Sequence, residues 1–214
     1  MAQRKYRPTQ PYGGIKARER KATRRATFIE AGLEAFGTIG YVRSTIKDIC
    51  QIAGLTQRYL YESFQDKEDL LVAVYRKLIM DIEEEARIIS DQSGIAPDDK
   101  ARQILKMFYQ RFKDNPRRAR VQLFEVLGVS TRVDREYQFA MLKLADWIKL
   151  IMVNIFPGHQ TAFNEPTIIF TGMAGAIIQI AHQWVLDGLK MPVEKIVDQS
   201  FTMVFTLGKY YPIK

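Results

Sequence analysis

Cysteine is nearly absent from this chain: Cys50 stands alone among 214 residues. No disulfide can form within the chain, which suits a reducing compartment. There are only 8 prolines, and no segment sustains a two-residue apolar alternation, so no sheet is expected. Two histidines occur, His159 and His182, and neither has ligand or triad neighbours at a useful spacing. The sequence lacks a G-x-S-x-G turn, a phosphate-cradling glycine loop and a metal-spaced Cys/His cluster. No enzyme, metal site or cofactor is therefore expected. The start, Met1 to Gly14, has no apolar core of the kind a secretory signal needs. One apolar run stands out, Pro166 to Leu186, with 21 residues free of Asp, Glu, Lys and Arg. Its length could span a bilayer. It nevertheless contains Gln179, His182 and Gln183, and its flanks are Glu165 and Asp187 rather than basic residues. A helix buried at a subunit interface of a cytoplasmic protein, with no membrane contact, is the expectation.

Acidic residues are scarce in the first third. Residues 1 to 64 carry 12 Lys/Arg against 5 Asp/Glu, whereas the remainder carries 20 against 19. Excess positive charge confined to one region points to a polyanionic partner for that region. Residues 1 to 17 read as a flexible basic arm, with Pro8, Pro11, Gly13 and Gly14 discouraging regular structure and Arg4, Lys5, Arg7 and Lys16 supplying charge. Such an arm either tracks DNA phosphates or a minor groove, or is a tail without a role.

Helical periodicity dominates the rest. A first helix is predicted over Arg18 to Gly37, with Ile29, Leu33 and Phe36 on one face. Thr45 caps a second helix, and Asp48 stands three residues on in a capping-box arrangement. Gly54 provides a sharp turn, and a third short helix runs from Thr56 to Phe64. Asp66 caps a long fourth helix, Lys67 to Ile89, and Ser93 to Pro97 breaks the chain after it. Further helices are predicted near Asp98 to Lys113, Pro116 to Gly128, Thr131 to Phe156, Asn164 to Leu189 and Val193 to Tyr211. The fold class is all-α: a helix-turn-helix domain over 18–66 and a helical effector-binding and dimerisation domain over 67–214.

Two short helices joined by a tight turn in a basic setting suggest a helix-turn-helix, whose second helix enters the major groove. Ile49, Ala53, Leu55 and Leu60 would pack the pair, leaving Gln57, Arg58, Tyr59, Tyr61 and Ser63 mostly on the opposite face. The run from Arg25 to Val74 resembles the N-terminal domain of TetR-family regulators. The resemblance rests on Ala31, Leu33, Phe36, Gly40 and Tyr41, on Thr45-Ile46-x-Asp48-Ile49, on Ala53-Gly54, on Leu60-Tyr61-x-x-Phe64 and on Lys67-x-x-Leu70. Gly32 departs from the family's usual alanine, and Tyr59 is large where a small residue is usual. The resemblance implies that Thr45 and Lys67 meet phosphates, that Lys47 faces the DNA near Thr45, and that Gln57, Arg58 and Tyr59 meet base edges. Tyr61 and Ser63 would lie against the sugar-phosphate backbone.

One helix-turn-helix reads few base pairs, so a homodimer on a palindromic double-stranded DNA operator is expected. Gly172 and Gly175, with Ile178 and Gln179, are candidate dimer residues, since small side chains permit close helix approach. The resemblance agrees, because the family pairs its last two long helices. In the middle helices Ile104, Phe108 and Phe112 stack at four-residue spacing, and Phe124, Leu127, Phe139, Trp147 and Met173 add bulk. They line either an apolar effector pocket or a plain core. Gln179 and His182 are polar groups of an interface or of that pocket. Arg117, Arg118 and Arg120 read as a solvated face, and Glu83 to Glu85 as an exposed acidic run. Cys50 reads as a small core residue. Function is then expected to be sequence-specific transcriptional repression, released by a small apolar or amphipathic effector. A regulator that takes no small ligand and works through a protein partner is the alternative.

Overall fold

The computed structural model describes residues 12–156 and 168–209, with side chains placed over 17–156 and 168–206. Nine helices follow in order among the described residues: α1 (Tyr12–Thr38), α2 (Ile46–Ala53), α3 (Gln57–Tyr61), α4 (Lys67–Ser90), α5 (Pro97–Asp114), α6 (Pro116–Arg120), α7 (Thr131–Ile155), α8 (Ile168–Leu186) and α9 (Val193–Lys209). No strand occurs among them. A π-helical turn, Val121–Glu125, continues α6 and interrupts the single helix predicted over Pro116 to Gly128. Helix α1 starts at Tyr12, so residues 12–17 are helical and not part of a loose arm. Lys16 to Ala22 are strong helix formers, and Gly13 and Gly14 fall in the first turn. The rest of the basic arm lies outside the described residues, as do Asn164 to Thr167 and the last residues predicted for the final helix.

Two cores organise the chain. Phe28, Phe36, Ile49, Leu60, Phe64 and the α4 residues Leu70 to Tyr75 and Leu78 close the first around α1–α4. Tyr109, Phe112, Ile148, Met152, Ala174 and Trp184 belong to the second, built from α5 to α9. Helix α4 serves both, since its distal half flanks a cavity in the second. Close packing sets where α1 sits. A Cβ on Gly32 would lie 2.9 Å from Val74 Cγ2, and one on Gly37 would lie 2.4 Å from Arg117 Cβ. Glycine at position 32, unusual for the resemblance, therefore lets α1 lie directly on α4.

Helix α8 is long and apolar enough to cross a membrane by length and composition. Phe170, Met173, Ala174, Ile177, Ala181 and Trp184 are instead buried along it, and Trp184 Nε1 donates to the Met191 carbonyl at 2.9 Å. It is a core helix of the bundle. Its other side is open: Ile168, Thr171, Gly172, Gln179 and Leu186 are exposed, and nothing lies within 4 Å of a Cβ built on Gly172 or Gly175.

Candidate nucleic-acid interface and effector cavity

Helix α2 begins at a complete capping box. Thr45 Oγ1 accepts from the Asp48 amide at 3.2 Å, and the Thr45 amide donates to Asp48 Oδ2 at 2.8 Å. The Thr45 hydroxyl also donates to Asp48 Oδ2 at 2.7 Å, and this bond first, then that of the Thr45 amide, holds the Asp48 carboxyl below its usual range. The helix ends at Gly54, whose φ of 64° is left-handed, and the Leu55 amide returns to the Cys50 carbonyl at 3.2 Å. Helix α3 then starts under Thr56, with Leu60 fully buried against α2 and Phe64 edge-on to Phe28 of α1. The turn between α2 and α3 is thus set by one glycine and one buried leucine.

Thr45, Lys47, Gln57, Arg58 and Tyr61 all stand exposed on this unit. The Arg58 side chain is 86% exposed. Glu62 lies between two guanidinium groups, 3.4 Å from Arg58 Nε and 3.5 Å from Arg24 Nη2. Three residues proposed for DNA contact sit differently from expectation. Tyr59 is half-buried, and the Arg24 guanidinium covers its ring at 4.3 Å, so one face packs on α1. The Ser63 hydroxyl is buried and makes no hydrogen bond, because the turn after α3 folds it inward. Lys67 points back into the protein. Its Nζ donates to the Tyr41 and Ser44 carbonyls at 2.8 and 2.9 Å and lies 4.5 Å above the Tyr41 ring. Burial draws the Lys67 ammonium below its usual range. Cys50 is buried too, which pushes its thiol up and leaves little thiolate for redox chemistry.

Arg117 and Arg120 are not a free solvated face. Arg117 pairs with Glu34 of α1. Arg120 donates to the Thr38 carbonyl at 2.7 Å and to Glu125 at 2.8 Å, and Glu125 in turn accepts from the Tyr41 amide at 2.6 Å. Arg118 is half-buried, with its Nε unpartnered. Helix α6 and its π turn are therefore bonded to the end of α1 and to the loop that precedes α2. Sequence reading missed this joint, because neither Glu125 nor Tyr41 belongs to an obvious motif pair.

Between α4, α5, α7 and α8 lies an apolar cavity of about 120 Å³. Ile104, Phe108, Phe112 and Trp147 line it, as the sequence suggested. Phe124, Leu127, Met173 and His182 do not. Phe124 stacks on His182 at 4.3 Å, Met173 is closed into the core, and Leu127 is 48% exposed beyond the π turn. Phe139 is 58% exposed on the outside of α7. Gln122 and Leu123 of the π turn also reach the cavity, so the joint to Tyr41 starts at its wall. The acidic run on α4 divides: Glu84 pairs with Arg87, Glu85 with the buried Arg111, and Glu83 with Lys143 of α7 at the cavity edge.

A capped helix, a glycine turn and an exposed short helix beside a basic α1 define a helix-turn-helix DNA-binding protein. Residues 28–74 match the family described as bacterial regulatory proteins, tetR family. Over 203 residues the chain is 25% identical to the HTH-type transcriptional regulator TtgR of Pseudomonas putida, covering 88% of this chain and 95% of that one. The fold matches the transcriptional regulator FadR from Bacillus subtilis, solved in complex with stearoyl-CoA. Its TM-score is 0.71 at 17% identity, over 85% of this chain and 97% of that one. A TetR-like transcriptional regulator from Rhodococcus sp. RHA1 matches with a TM-score of 0.67 at 17% identity, over 86% of this chain and 94% of that one. Residues 28–74 thus match the DNA-binding domain of the tetR family, and over most of its length the chain is similar to TetR-family transcriptional regulators.

Proposed function

We propose that this regulator is a cytoplasmic repressor that binds a palindromic operator as a homodimer and is released by a small, largely apolar effector. The observation that carries the reading is the exposed Gln57–Arg58 pair on α3, held on a rigid α2–α3 unit at the most basic part of the chain. Gln57 and Arg58 are the base-reading residues. Thr45, Lys47 and Tyr61 meet the sugar-phosphate backbone, and Lys67 holds the loop that presents them, with one ammonium hydrogen left for a phosphate. The open side of α8 around Gly172, Gly175 and Gln179 is the dimer face, whereas Ile178 packs on the core and lines the cavity.

Drug-sized ligand pockets run from ~300 Å³ upward, so the cavity of about 120 Å³ must widen to take an effector. Widening displaces α4 or the π turn, and both are bonded to the DNA-reading head. An effector that favours the widened state shifts the dimer away from the head spacing the operator needs.

The test is binding to DNA flanking the regulator's own gene across a salt series, with random DNA as control. The expected result is a selective, salt-sensitive complex of one dimer per palindrome. Binding of equal strength to both DNAs would reject operator recognition.

A further inference from the structure

The cavity's edge carries a charge arrangement that specifies more than apolarity. Lys143 Nζ lies 2.9 and 3.1 Å from the two Glu83 carboxylate oxygens. Of these oxygens Oε1 is buried and makes no well-directed hydrogen bond. Lys143 lines the cavity and both outer grooves between α4 and α7, and Glu83 lines the cavity and one of those grooves. The two members of the pair differ in freedom. Glu83 is the more buried, with 27% of its side chain exposed against 40% for Lys143. Lys143 has the long flexible stem and already lies 5.0 Å from the exposed Phe139 ring.

We propose that the effector passes between α4 and α7 and is a cationic amphiphile whose ammonium replaces that of Lys143 on Glu83. This rests on the ligand-responsive reading above. Lys143 occupies the place of the ligand's own head: an ammonium on a hydrocarbon stem, against a carboxylate, beside aromatic rings. When Lys143 swings out, Glu83 remains as the charge facing the cavity. The groove outside carries Asp81, Glu84 and Asp146 as well, so its carboxylates outnumber its cations. Lys77 pairs with Asp81 and Arg87 with Glu84, so the charge these pairs leave over at the groove is the Asp146 carboxylate. An anionic head on Lys143 would sit against Glu83 and meet this acidic rim. A cation meets a carboxylate, with the aromatic rings of Tyr75, Phe108 and Trp147 to bury its tail. The exchange also cuts a tie between α4 and α7, which frees α4 to move.

The test compares decylamine, decanol and decanoate at neutral pH by calorimetry on the full-length dimer, with operator release read in parallel. Decylamine is expected to bind about tenfold or more tightly than decanol and to release the operator. Glu83→Gln should erase the preference for decylamine over decanol. Lys143→Met should tighten decylamine by removing the internal competitor. The ranking of the three ligands on the unaltered chain tests the charge preference without any variant. Preference for decanoate that is lost in Lys143→Met would overturn the proposal by moving recognition to the lysine. Equal binding of decylamine and decanol, unaffected by Glu83→Gln, would overturn the role of Glu83 but keep the cavity as an effector site. Failure of all three to bind or to release the operator would overturn the proposal and count against the ligand-responsive reading itself.

Discussion

The Tyr41 amide donates to the Glu125 carboxylate at 2.6 Å, joining the loop ahead of α2 to the last residue of the π turn. The Tyr41 carbonyl accepts from Lys67 at 2.8 Å, so one residue is held from the π turn and from the start of α4. π turns cost regular helix bonding and tend to persist where function needs them. Here the turn carries Gln122 and Leu123 to the cavity and Glu125 to the DNA-reading head.

Glu125→Ala leaves the Tyr41 amide and Arg120 without their carboxylate. Stability should fall by ~1–3 kcal/mol, the usual cost of stranding partners of a charged hydrogen bond. Urea unfolding measures this, and amide exchange at Tyr41 should quicken in the same variant. An unchanged urea midpoint would show that the joint contributes nothing to stability.

Gly32→Ala tests the close approach of α1 to α4. Helix propensity alone would favour alanine by up to ~1 kcal/mol. The new methyl would stand 2.9 Å from Val74 Cγ2 and 3.2 Å from Leu70 Cγ, inside a closed core. Overpacking of this kind costs roughly 1–3 kcal/mol, so a net loss of stability is expected in thermal or urea melts. A gain would mean that α1 has room to shift.

Gly172→Gln separates the protomer from the dimer. A Cβ at this exposed position meets nothing within 4 Å in one chain, so protomer folding should be unharmed. If α8 pairs closely across the dimer axis, the same side chain blocks the approach. Sedimentation velocity should show a shift towards monomer, with operator binding weakened accordingly. A dimer of unaltered strength would place the interface elsewhere.

Tyr109 predicts an alkaline limit to stability. Its hydroxyl lies 2.6 Å from Ser200 Oγ in the core between α5 and α9. Burial pushes the phenol up to about 12, with the Ser200 bond acting against burial. The unfolded chain gives up this proton near pH ~10. The stabilisation is therefore complete below that pH and is lost as pH rises towards 12, by roughly 3 kcal/mol. Tyr109→Phe should flatten the alkaline fall in Tm. An identical fall in both proteins would assign it to other groups.

The DNA-reading head was open to sequence reasoning because its signals are local. Thr45 with Asp48, Gly54, and Asp66 with Asp69 are caps and turns written within four residues, and each forms as expected. The orientation of Ser63 and Tyr59 was not, because α3 has only five residues and its far side is decided by α1. The cavity divided in the same way. Ile104, Phe108 and Phe112 follow one helical face, whereas Phe124 is rotated onto His182 by a π turn that periodicity does not announce. Glu83 looked like part of a solvated run because its partner, Lys143, lies 60 positions further on.

The most direct measurement of the central claim is the affinity of wild type and Arg58→Ala for operator and for random DNA at matched salt. Loss of a base-edge contact should weaken operator binding by ~1–3 kcal/mol and leave random DNA nearly unchanged. Equal weakening on both DNAs would make Arg58 a phosphate contact and contradict the assignment of α3 as the reading helix through this residue.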